Sequence, residues 1–116
     1  MELRSLIIKK QYLDLILKGQ KIWELRGSKT LIRGKIGLIE SGSGLVIATA
    51  EVVDCHGPFT RTDLINHISK TQYNPQNTIL KYKQTYAWEL KNIKVFSKPI
   101  PYKHPQGAII WVKVSV

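Results

Sequence analysis

Gly19-Gln20-Lys21-Ile22-Trp23-Glu24-Leu25-Arg26 is the stretch on which the reading of this 116-residue chain turns. It follows an amphipathic segment, Lys9 to Lys18, in which Tyr12, Leu15 and Ile16 sit at i, i+3 and i+4 while Leu13 and Leu17 widen the apolar stripe. That spacing predicts a helix. Lys18 suits its carbonyl end, and Gly19 is the expected residue just past it. Lys21 to Arg26 then reads as a strand, with Trp23 and Leu25 on one face and Ile22, Glu24 and Arg26 on the other. A lysine is thereby placed at a turn, and a glutamate and an arginine share one strand face.

The flanking segments are mostly strands. Leu3 to Ile8 precedes the helix, and a basic loop, Gly27 to Gly34, follows the motif. Lys35 to Glu40 and Leu45 to Val53 read as two strands joined by a hairpin at Ser41-Gly42-Ser43-Gly44. Cys55 to Phe59, with Gly57-Pro58, reads as a turn, and Thr60 to Ser69 as a short helix with Leu64, Ile65 and Ile68 on its apolar face. Tyr73 to Asn77 reads as loop, and Ile79 to Tyr82 fits helix or strand equally. Tyr86 to Leu90 is a strand that continues after a bend through Asn92 to Phe96. Pro99, Pro101 and Pro105 keep the next stretch out of any central strand. Ala108 to Val114 is a closing strand. Many short strands with one or two helices predict an α+β fold: a small, partly closed β-barrel with helices against its openings.

Length predicts a single domain over residues 1–116. The single cysteine, Cys55, excludes an internal disulfide framework and points to a reducing, cytoplasmic compartment. Met1 to Lys10 is too polar for a signal peptide, and no apolar run is long enough for a membrane helix. No membrane partner is expected.

Eighteen Lys and Arg against eight Asp and Glu give a net charge of +10. The excess is uneven, because the segment 66–116 holds eight lysines and one acid, Glu89. A basic half attracts phosphate backbones by counterion release. The plainer reading is that lysines keep a small protein soluble.

Lys21, Glu24 and Arg26 carry the chemistry. An arginine makes planar, bidentate hydrogen bonds to phosphate or a base edge and stacks on bases. A glutamate accepts from an exocyclic amine, or acts as acid or base if its pKa is raised. A lysine holds a phosphate or, desolvated, serves as base or nucleophile. On the residues alone, a surface Glu24–Arg26 ion pair, worth at most about 1 kcal/mol, accounts for the same pattern.

The segment matches a Gly-x-Lys-x-x-Glu-x-Arg signature and resembles the ASCH domain family. The likeness extends along the chain: Ile16-Leu17-Lys18-Gly19 before the motif, Lys35 to Glu40, Leu45 to Asp54, Tyr86-Ala87-Trp88-Glu89-Leu90, Pro99-Ile100-Pro101 and Gly107 to Val112 follow in the family's order. The resemblance implies a PUA-like barrel with a cleft beside the first helix, lined by the motif, and a protein that handles RNA or a modified nucleoside. Some family members resemble N4-acetylcytidine amidohydrolases and others ribonucleases. The amidohydrolase branch has a lysine, a threonine three residues later and a distant glutamate. Lys21 matches the lysine, Glu24 stands at the threonine position, and no acid other than Glu89 follows Asp63. That activity is therefore not transferred.

The resulting expectation is an RNA- or nucleobase-binding protein whose contact residues are Lys21, Glu24, Arg26, Ser28, Lys29, Tyr102 and Lys103. Lys21 and Glu24 are the proton-transfer pair if the protein is an enzyme on RNA or modified nucleosides. A small-metabolite sensor or interaction module is the third class. Trp23, Trp88 and Trp111 sit at strand positions and read as packing. Tyr73, Tyr82 and Tyr102 lie in lysine-rich segments and are better placed for base stacking. Ser41 to Gly44 lacks the Gly-Lys-Ser/Thr ending of a phosphate loop. His56, His67, His104 and Cys55 show no metal-ligand spacing, so no metal or cofactor is expected.

Overall fold

Two long antiparallel strands, β4 (Leu45–Phe59) and β5 (Thr85–Pro101), form the spine of the molecule. The computed structural model describes residues 2–76 and 82–116. Around the spine, β1 (Glu2–Ile8), β2 (Trp23–Arg26), β3 (Gly34–Glu40) and β6 (Trp111–Ser115) complete one sheet in the order β2-β5-β4-β3-β1-β6. Helix α1 (Lys10–Leu17) links β1 to β2, and the short helices α2 (Arg61–Asn66) and α3 (Ile68–Thr71) follow β4. The expectation for Ile79 to Tyr82 falls, apart from Tyr82, outside the described residues, as does Asn77.

The α+β class holds, but the expected partly closed barrel is an open sheet ending on β2 and β6. These end strands span only Trp23–Arg26 and Trp111–Ser115, and the ladder places them at opposite ends of the sheet. α3 packs beside β2, and its Lys70 carbonyl accepts a hydrogen bond at 2.9 Å from the N–H of Ile22, the residue just before the strand.

α1 is amphipathic as its spacing predicts, with the buried stripe centred on Leu13 and Ile16 and with Tyr12 and Leu17 packed at its margin. It ends in a Schellman turn: Gln20 N–H bonds Leu15 C=O and Gly19 N–H bonds Ile16 C=O, with Gly19 at φ +75°. That left-handed residue reverses the chain and delivers Lys21 to the base of the sheet. β1 and β3 pair in parallel, and the crossover between them carries α1 and β2. The helix and the motif strand are therefore held against the same sheet.

Three expected boundaries shift. Cys55 to Phe59 is not a turn but the end of β4, which stays paired to β5 through irregular register steps at Val52/Asp54 and His56/Phe59. The Thr60–Ser69 helix divides at His67 into α2 and α3, with Thr60 and Asp63 forming a capping box at its start. The last strand begins at Trp111 rather than Ala108: the β1 ladder runs only to Leu6–Trp111, one further bond joins Ile7 N–H to Ile110 C=O at 2.9 Å, and Ile109 is largely exposed. Pro99 and Pro101 lie within β5, on a stretch paired to β4 on one side only, since β2 reaches no further than Glu89.

The main core joins Leu6, Ile8, Leu13, Ile16, Ile36, Leu38, Val52, Trp88 and Leu90. Trp88 and Trp111 stack with ring centroids 5.7 Å apart, and Trp23 is buried against Leu64, Tyr73 and Ala87. All three tryptophans serve packing, as their strand positions indicate.

Candidate functional site

The β2–β5 register places Glu24 opposite Trp88 and Arg26 opposite Tyr86, while Trp23 and Leu25 oppose Glu89 and Ala87. Opposed residues share a face, so the expected alternation of the motif is realised. Glu24 and Arg26 project toward α1, where Lys21 meets them.

Lys21 is 3% exposed and Glu24 4% exposed, so the group is buried rather than a surface ion pair. Lys21 Nζ donates to the Thr71 carbonyl at 2.6 Å and lies 3.6 Å from Glu24 Oε1. The other carboxylate oxygen, Glu24 Oε2, accepts from Arg26 at 2.9 Å, and the same arginine nitrogen donates to the Ile7 carbonyl at 2.8 Å. One carboxylate thus bridges two cations, leaving the triad with a net positive charge. Burial pushes the Lys21 ammonium below its ordinary pKa of 10.5, with Arg26 acting in the same direction and Glu24 opposing.

This triad forms part of the wall of a cleft of about 460 Å³. Tyr12 from α1, Tyr73 and Tyr82 supply aromatic wall, Ile7 and Ile109 apolar wall, and Lys9 and Ser41 polar groups. The volume is in the range of small-ligand sites, roughly 300–1,000 Å³. Two cations lie near aromatic faces, Lys21 Nζ 5.6 Å from the Tyr12 ring centre and the Arg26 guanidinium carbon 5.9 Å from that of Trp88. The Tyr82 ring packs so closely on Gly27 that a β-carbon there would overlap it.

Of the expected contact residues, Lys21, Glu24 and Arg26 come together. Ser28 and Lys29 lie in the exposed loop after β2, where the Ser28 carbonyl accepts from Trp88 Nε1 at 2.9 Å. Neither lines the cleft, and neither do Tyr102 and Lys103. Tyr102 is tied to the β3–β4 hairpin through its N–H to Gly44 C=O, packs on the Ile39–Val46–Val112–Val114 cluster, and bonds His104 through its hydroxyl. Sequence reasoning assigned no site role to Tyr12, Ser41 or the Thr71 carbonyl. Tyr12 reads as part of an apolar helix stripe, and a backbone carbonyl fifty residues away leaves no local signal.

The fold and cleft define a class: an α+β protein with a buried Lys–Glu–Arg cluster beside its first helix. The ASCH domain model matches residues 6–100, and the chain belongs to that family. No curated protein matches it. Among solved structures it is similar to the ASCH protein from Zymomonas mobilis, at 15% identity and TM-score 0.69 over 89% of this chain and 82% of that one. Two mutants of the same protein match at 15–16% identity with TM-scores of 0.70 and 0.69, covering 97% and 89% of this chain and 87% and 85% of theirs. At this identity these likenesses show the fold alone. Among the described residues no helix is long and apolar enough to cross a membrane.

Proposed function

We propose that this protein binds RNA and takes a nucleobase or modified nucleoside into the cleft beside α1. The observation that carries the reading is the net-positive Lys21–Glu24–Arg26 cluster set among the rings of Tyr12, Tyr73 and Tyr82. Aromatic walls suit a planar base, and stacking contributes about 1–3 kcal/mol per base. Arg26 commits one terminal nitrogen to Glu24 and Ile7, and the guanidinium has further N–H donors for a phosphate or base edge. Lys9 at the rim is exposed and suits a phosphate. The family membership, with its links to RNA, and the basic 66–116 segment support the same reading.

The test is a mobility titration of a bulk tRNA pool at near-physiological salt with wild type, Arg26→Lys and Tyr82→Ala. Tyr82 is exposed at the rim, so its loss tests the cleft without opening the core. Weakened binding in both variants is the expected result. Unchanged binding in both would remove RNA from the cleft.

A second reading is favoured by the buried lysine. Desolvation makes the neutral Lys21 amine more accessible, and Glu24 stands 3.6 Å away as a proton partner. The protein would then act on RNA or a modified nucleoside, and product formation that survives Lys21→Met would rule this mechanism out.

A further inference from the structure

A second polar cluster lies on the face of the sheet turned away from Glu24 and Arg26. In the β4–β5 register Asp54 stands directly opposite Glu89, and His56 follows two residues along β4. Carboxylates placed directly opposite on antiparallel strands repel unless a positive charge lies between them. His56 Nε2 is 2.7 Å from Glu89 Oε1 and 3.9 Å from Asp54 Oδ2, and one donor atom from each of the three residues lies within 4.8 Å of the others. The imidazole is oriented by stacking on Trp23, ring centres 4.5 Å apart and planes 25° from parallel.

The outer oxygens of both carboxylates are already engaged. Asp54 Oδ1 accepts from Cys55 N–H at 2.8 Å and lies 3.8 Å from Arg33, while Glu89 Oε2 lies 3.9 Å from Lys91. Asp54 Oδ2 and Glu89 Oε1 are the oxygens turned to His56 Nε2, and the 2.7 Å hydrogen bond that Glu89 Oε1 shares with the ring nitrogen is the contact an ion would replace. We propose that Asp54, His56 and Glu89 bind one divalent transition-metal ion of the zinc type, through His56 Nε2 and these two oxygens. Bonds of about 2.0–2.2 Å at tetrahedral angles hold donor atoms about 3.3 Å apart, between the spacings seen here. One imidazole with two carboxylates suits zinc, cobalt or nickel, whereas calcium and magnesium favour all-oxygen shells.

The ion would clip β4 to β5 between two irregular register steps, Val52/Asp54 and His56/Phe59, where the ladder alone holds them less well. It sits behind the strand pair that carries Glu24, so its role is to brace the site rather than to touch a ligand in the cleft.

The test uses the whole protein, stripped with a chelator and titrated with ZnCl2 by calorimetry and with CoCl2 by visible absorption. One equivalent is expected to bind, with a cobalt ligand-field band. Loss of an outer-shell partner alone costs about 10–100-fold in metal affinity, so removing a ligand should cost at least that. Asp54→Asn and Glu89→Gln should each weaken binding by that amount, and His104→Gln should leave it unchanged. Asp54 is exposed, so at least this variant is expected to keep the wild-type near-ultraviolet circular dichroism. Absence of binding at micromolar metal, or equal affinity in wild type and a folded Asp54→Asn, would overturn the proposal.

Discussion

Lys21 is the residue at which sequence and environment pull hardest against each other. A buried cation next to another cation is unfavourable unless a carboxylate lies between them, and Glu24 is that carboxylate. Glu24→Gln leaves two cations facing a neutral amide, and removing one partner of a buried pair costs about 3–5 kcal/mol. A large fall in the urea midpoint of Glu24→Gln is the expected outcome; a change within error would mean water screens the cluster. The depressed Lys21 pKa also has a pH signature. The unfolded chain holds its proton up to the ordinary value of 10.5, while the folded chain releases it earlier. Stability from this group therefore rises with pH between the lowered value and 10.5. The difference in stability between wild type and Lys21→Met, followed across that window, should grow in favour of wild type as pH rises. A flat difference would show that the ammonium is not desolvated.

At the scale of elements, two glycines set how the site is assembled. Gly19 closes α1 at φ +75° with open space where a side chain would lie, so Gly19→Ala meets only backbone strain of about 1–2 kcal/mol. Gly37 is different. It pairs with Ser5 between β1 and β3, and a β-carbon there would run into the Ser5 side chain and the Leu3 methyl group. Both neighbours are buried, so Gly37→Ala forces the parallel β1–β3 pair apart at a cost of about 1–3 kcal/mol or more. Thermal denaturation of the two variants should show Gly37→Ala as the more destabilised. The reverse order would mean that the helix exit, not the strand pairing, limits stability. In both cases the residue type is legible in the chain, but which glycine is sterically enclosed is known only once β1 lies beside β3.

For the molecule as a whole, charge is the dominant feature, and it lies away from the cleft as well as around it. Lys91, Lys94, Lys98 and Lys103 are exposed on or just after the singly paired length of β5. If they follow an RNA backbone, replacing Lys94, Lys98 and Lys103 together by Gln removes three phosphate contacts. The slope of log affinity against log salt should then fall by about 2 for single-stranded RNA, with binding of a free nucleoside in the cleft unaffected. An unchanged slope would assign these lysines to solubility alone.

Local signals determined much of this protein from the sequence itself. The α1 stripe and its glycine exit, the alternation of β2 and the Ser41–Gly44 hairpin each depend on residues close in the chain, and they fixed the Lys21–Glu24–Arg26 cluster and the family. Only the tertiary structure decided that Lys21 and Glu24 are buried, that the Thr71 carbonyl receives the lysine, and that Tyr12, Tyr73 and Tyr82 share one cleft. It also decided that the strands form an open sheet and that Asp54 and His56 meet Glu89 across a ladder. Each of these depends on contacts between distant segments. Solvent exclusion and strand register are properties of packed neighbours, and the periodicity of a single strand or helix carries no information about them.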